Sequence, residues 1–152
     1  SVTPLAMANF VSGIVNNGII VKPYLIKEIR SPDNSKVLYR GKTEKSREIP
    51  LSPFTLKVIK KGMRLAATGG THAFFKSLKV QVCGKTGTAQ LKSKRDAGMH
   101  HAWYVGFAPY EGPIEKSIVV VVFIEEGGYG AYQAAPVAYK IFAKIHELGY
   151  FK

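Results

Sequence analysis

A lysine, two threonines and two glycines fall within five residues at Gly84-Lys85-Thr86-Gly87-Thr88. Side chains of these types bind an anion: an ammonium supplies charge and hydroxyls supply hydrogen-bond donors. The residues just before them alternate. Val80 and Val82 suit one face of a strand, and Gln81 and Cys83 the other. A strand carrying Lys85, Thr86 and Thr88 around Gly87 reads as a platform for a carboxylate, because a glycine lets a ligand's backbone approach closely. Two other readings of the same residues stand beside this one. Gly-Lys-Thr also ends the phosphate-binding P-loop, but that loop needs a further glycine five positions earlier, where this sequence has Lys79. An ordinary strand end with a solvated lysine is the other.

The elements around this stretch follow from the chain in order. Thr3 as N-cap and Pro4 in the first turn predict a helix, with Val2 and Met7 placed as a staple. Met7, Val11, Ile14 and Val15 form its apolar stripe, and Asn17-Gly18 ends it. Residues 19–29 predict an edge or irregular strand interrupted by Pro23. Ser31-Pro32-Asp33-Asn34 is a turn, and residues 36–39 a returning strand. Residues 40–48 read as a basic loop. Ser52 and Pro53 repeat the first helix start, with Leu51 and Leu56 as staple and Val58, Ile59 and Met63 as core face. That helix should end near Ala67, and residues 72–79 read as irregular.

After Gln90 a basic loop leads to a second strand over residues 102–108, closed by Pro109. Ile118–Ile124 is nearly all β-branched, which suits a strand covered on both faces and central in its sheet. Pro136 begins a last helix with Val137, Ile141, Ile145 and Leu148 on one stripe. Short connections make the three strands antiparallel neighbours. The fold class predicted is α+β, an antiparallel sheet packed by helices.

The bulk numbers set limits. With 152 residues, 46% of them hydrophobic and 21% charged, the chain suits one domain with a proper core. The net charge of +12 admits nucleic acid, an anionic membrane or wall surface, or an acidic substrate as partner. The densest basic groups, residues 42–47 and Lys92-Ser93-Lys94-Arg95, lie in apparent loops without interleaved aromatics, which disfavours nucleic acid. A lone cysteine, Cys83, excludes an internal disulfide and reads as a buried thiol. His100 and His101 are adjacent and point to opposite faces of a strand. His72 and His146 are distant, so no zinc-ligand spacing is present. The Gly127–Gly130 run reads either as the flank of a substrate groove or as a plain turn. The longest apolar run is too short to cross a bilayer, and no signal peptide is recognisable.

Four blocks together resemble the C-terminal half of the transpeptidase domain of class B penicillin-binding proteins. Lys85-Thr86-Gly87-Thr88-Ala89-Gln90 looks like the family's Lys-Thr-Gly motif on its active-site strand. Val2-Thr3-Pro4-Leu5-Ala6-Met7-Ala8 is similar to the family's Val-Thr-Pro-Leu-Gln-Met-Ala helix. His101-Ala102-Trp103-Tyr104-Val105-Gly106-Phe107-Ala108-Pro109 resembles the next strand. Gly127-Gly128 through Ala134-Ala135-Pro136 resembles the approach to the last helix. The last two are more similar to the elongation type than to the division type.

The resemblance implies that residues 1–152 are the C-terminal portion of a single transpeptidase domain, related to the serine β-lactamases. The implied enzyme cross-links peptidoglycan stem peptides through a serine acyl-enzyme, is acylated by β-lactam antibiotics, and needs no cofactor or metal. Lys85 and Thr88 would be catalytic, Lys85 through its charge and Thr88 through an oxyanion-hole N–H. Thr86, Gly87 and Thr88 would bind the substrate carboxylate. The family's Ser-x-x-Lys and Ser-x-Asn motifs occur nowhere in this sequence. They are expected before Ser1, in an N-terminal remainder that would also carry a membrane anchor to the periplasmic cell-wall machinery. Two alternatives remain at this stage: a fragment of a β-lactam hydrolase, and a non-catalytic basic wall-binding module.

Overall fold

A computed structural model describes residues 2–70, 73–90 and 99–151. The basic run Lys92-Ser93-Lys94-Arg95 and the side chain of His72 lie outside the described residues. Helix α1 (Pro4–Val15) begins where its cap predicts, with Thr3 Oγ1 accepting from the Ala6 N–H at 3.1 Å. Asn17 and Gly18, at φ 53° and 92°, turn the chain out of it. Helix α2 (Pro53–Gly69) is capped the same way, Ser52 Oγ accepting from the Thr55 N–H at 3.1 Å.

The main sheet is β5 (Cys83–Gln90), β6 (His100–Ala108) and β7 (Ile118–Ile124), antiparallel in the order β5-β6-β7. Helix α3 (Ala134–Glu147) packs on one face and α1 on the other. On the α3 side lie Val82, Ala102, Tyr104, Val120, Val122, Ala138 and Phe142. On the α1 side lie Cys83, Phe107, Val11 and Val15. Helix α2 lies against β5 and reaches both clusters, Ala67 in the first and Met63 in the second. The α+β class with helices on an antiparallel sheet is therefore borne out.

Several expectations need correction. Ile118–Ile124 is not central among the described strands; β6 is, with β7 beside it. The unbroken apolar run reflects helices on both faces, which does not require neighbours on both edges. Strand β5 starts at Cys83, so Val80 and Val82 precede it, yet both are buried on the face assigned to them.

Residues 40–48 are not all loop: β4 (Lys45–Glu48) pairs antiparallel with β1 (Ile19–Val21). Its sequence hides it because both faces are exposed and charged. The continuous strand expected over 19–29 splits, and a separate β2 (Glu28–Arg30) pairs with β3 (Val37–Arg40) across the predicted turn.

Helix α3 starts at Ala134, two residues before Pro136, and buries Ala134, Ala135, Ala138 and Phe142. Of the predicted stripe only Ile145 joins the core; Val137, Ile141 and Leu148 are exposed. Alanines do not announce a core face, but their small size lets the helix approach the sheet. In α2 the buried residues are Leu56 and Ala67, while Val58 is 52% exposed. Residues 73–77, expected to be irregular, form a short 3-10 helix, Ala73–Ser77. It inserts Phe75, fully buried, against Tyr104 at 5.3 Å between ring centroids.

Candidate active site

Along β5 the register pairs Lys85 with Val105, Thr86 with Tyr104, Gly87 with Trp103 and Thr88 with Ala102. Among the described residues β5 has a partner only on the β6 side, so its other edge is open. An open edge presents backbone N–H and C=O groups in a row, ready to pair with an extended ligand. Alternation puts Lys85 and Gly87 on the α1 side with Cys83, and Thr86 and Thr88 on the α3 side. Lys85 is exposed and folds along the edge to donate from Nζ to the Thr86 carbonyl at 2.8 Å. Charge and hydroxyls thus flank one open edge from its two faces.

On the α1 side, Lys85, Thr86 and Gly87 line a cavity of about 280 Å³ with Val2, Met7, Trp103 and Val105. Its lining is mostly apolar, and Lys85 is its one charged residue. A hollow of about 460 Å³ beside α2, lined by Asn17, Leu56, Lys57, Lys60, Tyr110 and Glu111, is larger, but it lies away from the β5 edge.

The glycines of the motif differ in purpose. A Cβ on Gly84 would stand 2.0 Å from the Tyr104 hydroxyl oxygen, and one on Gly106 would stand 2.5 Å from it. These two glycines make room for the buried Tyr104 ring. A Cβ on Gly87 would meet only Trp103 Cβ, at 3.3 Å. The fold demands Gly87 far less, which fits a glycine kept clear for a ligand.

Behind the strand, Arg64 Nη1 donates to the Val82 carbonyl at 2.8 Å and Lys60 Nζ to the Val15 carbonyl at 3.1 Å. Helix α2 thereby ties the end of α1 to the start of β5. Burial pushes the Cys83 thiol up to about 12, although the Arg64 and Lys60 charges pull the other way. It is an inert core thiol, as its sequence position predicts. His101 Nδ1 accepts from the Glu126 N–H at 3.0 Å, and the His100 ring packs edge-on against Tyr129 at 5.6 Å. The two adjacent histidines face separate partners.

Sequence reasoning left the glycine run 127–130 open between groove and plain turn. The structure fastens it to the site: the Gly130 N–H donates to Thr88 Oγ1 at 3.3 Å, and the Gly128 N–H to the His100 carbonyl at 2.9 Å. Nothing local in the sequence pairs Gly130 with Thr88, 42 positions away.

An α+β domain with a Lys-Thr-Gly strand at the open edge of an antiparallel sheet defines the class. Its relatives agree. The family described as the penicillin binding protein transpeptidase domain matches residues 1–145. The chain is 33% identical over 158 residues to the peptidoglycan D,D-transpeptidase MrdA of Haemophilus influenzae, covering 91% of this chain and 23% of that one. It is 31% identical over 142 residues to the peptidoglycan D,D-transpeptidase PbpA of Mycolicibacterium smegmatis, covering 90% and 28%. The ceftriaxone acyl-enzyme complex of penicillin-binding protein A from M. tuberculosis superposes with a TM-score of 0.75 at 28% identity, covering 93% of this chain and 32% of that one. The chain belongs to the penicillin-binding protein transpeptidase family. It spans about a quarter of the length of the curated relatives it matches.

Proposed function

We propose that residues 1–152 are the C-terminal portion of the transpeptidase domain of a peptidoglycan D,D-transpeptidase of the elongation type. The observation that carries this is the Lys85-Thr86-Gly87-Thr88 strand at an open sheet edge, with ammonium and hydroxyls flanking that edge. The stem peptide's terminal carboxylate docks on this edge. Lys85 supplies positive charge, the Thr86 and Thr88 hydroxyls donate to the carboxylate, and Gly87 leaves room for it. The Thr88 N–H is one of two donors to the oxyanion; loss of one such donor in enzymes with these holes costs roughly a hundred- to a thousand-fold in rate.

The nucleophilic serine lies in sequence other than these residues, since no Ser-x-x-Lys is present. Its hydroxyl attacks the carbonyl of the D-Ala-D-Ala bond, the C–N bond breaks, and D-Ala leaves with the proton. An amine from a neighbouring stem attacks the resulting ester, forms the cross-link and restores the serine. A β-lactam follows the first half and stops at the ester. The complete protein acts on the extracytoplasmic face of the bacterial cytoplasmic membrane, with the cell-wall synthesis machinery as partner.

A fluorescent penicillin and a denaturing gel test this reading. The full-length protein takes the label stably, and residues 1–152 alone do not. A labelled band from the 152-residue chain would sink the assignment of the nucleophile. Rapid turnover of the label by the full-length protein would make it a hydrolase instead.

A further inference from the structure

The loop between β7 and α3 touches the site strand at a hydroxyl that has to donate. Gly130 is buried and stands over the Gly87–Trp103 pair. A Cβ there would lie 2.2 Å from the Gly87 carbonyl oxygen and 2.5 Å from that of Trp103. Both are backbone atoms held in the sheet, so neither can swing aside as a flexible side chain would. Glycine is what allows the Gly130 N–H to reach Thr88 Oγ1. The loop is anchored on both sides of this contact. The Gly130 carbonyl accepts from the N–H groups of Ala134 and Ala135 at 3.1 and 2.9 Å, joining it to the buried first turn of α3. The Gly128 N–H, on the other side, is held by the His100 carbonyl.

A hydroxyl has one hydrogen and two lone pairs. With an amide N–H fixed against one lone pair, the Thr88 hydrogen must point away from Gly130. Thr88 is exposed, so that direction is open. A carboxylate accepts only, so a hydroxyl serves it solely when the hydrogen faces it.

We propose that Gly130 is a positioning residue that presets the Thr88 hydroxyl as a donor to a carboxylate docked on β5. This rests on the reading of β5 as a carboxylate platform. Gly130 touches neither substrate nor reacting atoms and acts through Thr88. A merely structural glycine would affect every ligand alike, whereas a positioning glycine affects those that carry the carboxylate.

The test uses the full-length protein and two probes, a penicillin as its free acid and the same penicillin as its methyl ester, which keeps the reactive ring but carries no carboxylate charge. Second-order acylation rates are measured for wild type, Gly130→Ala, Thr88→Val and the double variant. Gly130→Ala is expected to slow the free acid about tenfold and the ester less than about twofold, on the scale of one hydrogen bond to a charged group. The double variant is expected to be no slower with the acid than the slower single one. Equal losses for acid and ester, or multiplied losses in the double variant, would overturn the proposal. A wild type that prefers the ester would overturn the platform reading instead, and with it the proposal.

Because the methyl added in Gly130→Ala would press on backbone carbonyls, amide hydrogen exchange gives a readout that leaves Gly130 in place. The Gly130 amide should exchange at least about tenfold faster in Thr88→Val than in wild type, with Gly128 little changed. Equal exchange at Gly130 in the two proteins would also overturn the proposal.

Discussion

The three-stranded sheet and the two ribbons of residues 19–48 are both paired antiparallel strands, yet they are held by different forces. In the sheet, helices cover both faces, and Tyr104, Phe107 and Cys83 are buried between them. In the ribbons β3 and β4 are exposed along their whole length, and Leu38 is 64% exposed. Apart from β1, which is half-buried with Ile20 lying against Gly13 of α1, backbone pairing and surface ion pairs are what remains there. Glu28 lies between Arg30 and Arg40, at 2.5 and 2.8 Å, and Lys45 pairs with Glu48. Exposed pairs of this kind add little. The comparison shows where a site can be built: β5 has one edge paired in the packed sheet and, among the described residues, no strand on the other, so its residues can keep their geometry while facing outward.

The largest expected effect falls on the sheet side of this contrast. Phe75→Ala removes a fully buried ring that stacks on Tyr104 and meets Phe142 edge-on at 6.4 Å. Its unfolding free energy in urea should drop by about 3–5 kcal/mol. A loss below about 1 kcal/mol would break the claim that this face is packed core.

Cys83 probes the other face. Its thiol titrates at about 12 in the fold against 9.0 as the ordinary value. At pH 9 alkylation by iodoacetamide should be at least about a hundredfold slower in the folded protein than in urea, because the thiol is both held protonated and shut off from solvent. The fold binds the proton more tightly than the unfolded chain, so this contribution to stability is fully present below pH 9. It is lost as pH rises from about 9 towards 12. A urea midpoint that held steady across that window would contradict the burial.

Next in size is the open edge. Lys85→Ala in the full-length protein should slow penicillin acylation by about a hundredfold, a size in keeping with other single electrostatic contacts to a transition state. The melting temperature should stay put, since Lys85 is exposed and, among the described residues, bonds only the neighbouring carbonyl. A parallel fall in stability would blur the separation of edge from core. Thr3→Ala, at the cap of the helix that backs the sheet, should cost about 1 kcal/mol in urea denaturation. The ribbons come last. Leu38→Ala should change unfolding by no more than about 0.5 kcal/mol. Glu28→Gln should leave the urea midpoint where it was, because water competes for both arginines.

Most of the site strand was legible in the sequence because its signals are local. Lys85, Thr86, Gly87 and Thr88 sit on consecutive positions, and strand geometry alone distributes them over two faces. Both helix caps were legible for the same reason, since Thr3 and Ser52 each bond an amide three residues on. The ribbon strand β4 was not, because Lys-Ser-Arg-Glu carries no hydrophobic alternation when neither face is buried. The face of α3 was misread because its contact residues are alanines, while the larger Val137, Ile141 and Leu148 lie outside the core.

What the sequence determined by itself is the set of elements and the chemistry of one edge: caps, a Lys-Thr-Gly strand and the apolar runs around it. These depend on neighbours within a few residues. What only the tertiary structure decided is which groups meet across long separations. Gly84 and Gly106 share the space around Tyr104, α2 ties α1 to β5, and Gly130 lies against Thr88. A hydrogen bond or a close approach between distant residues leaves no periodicity in the chain. It exists only once the sheet has set their separation.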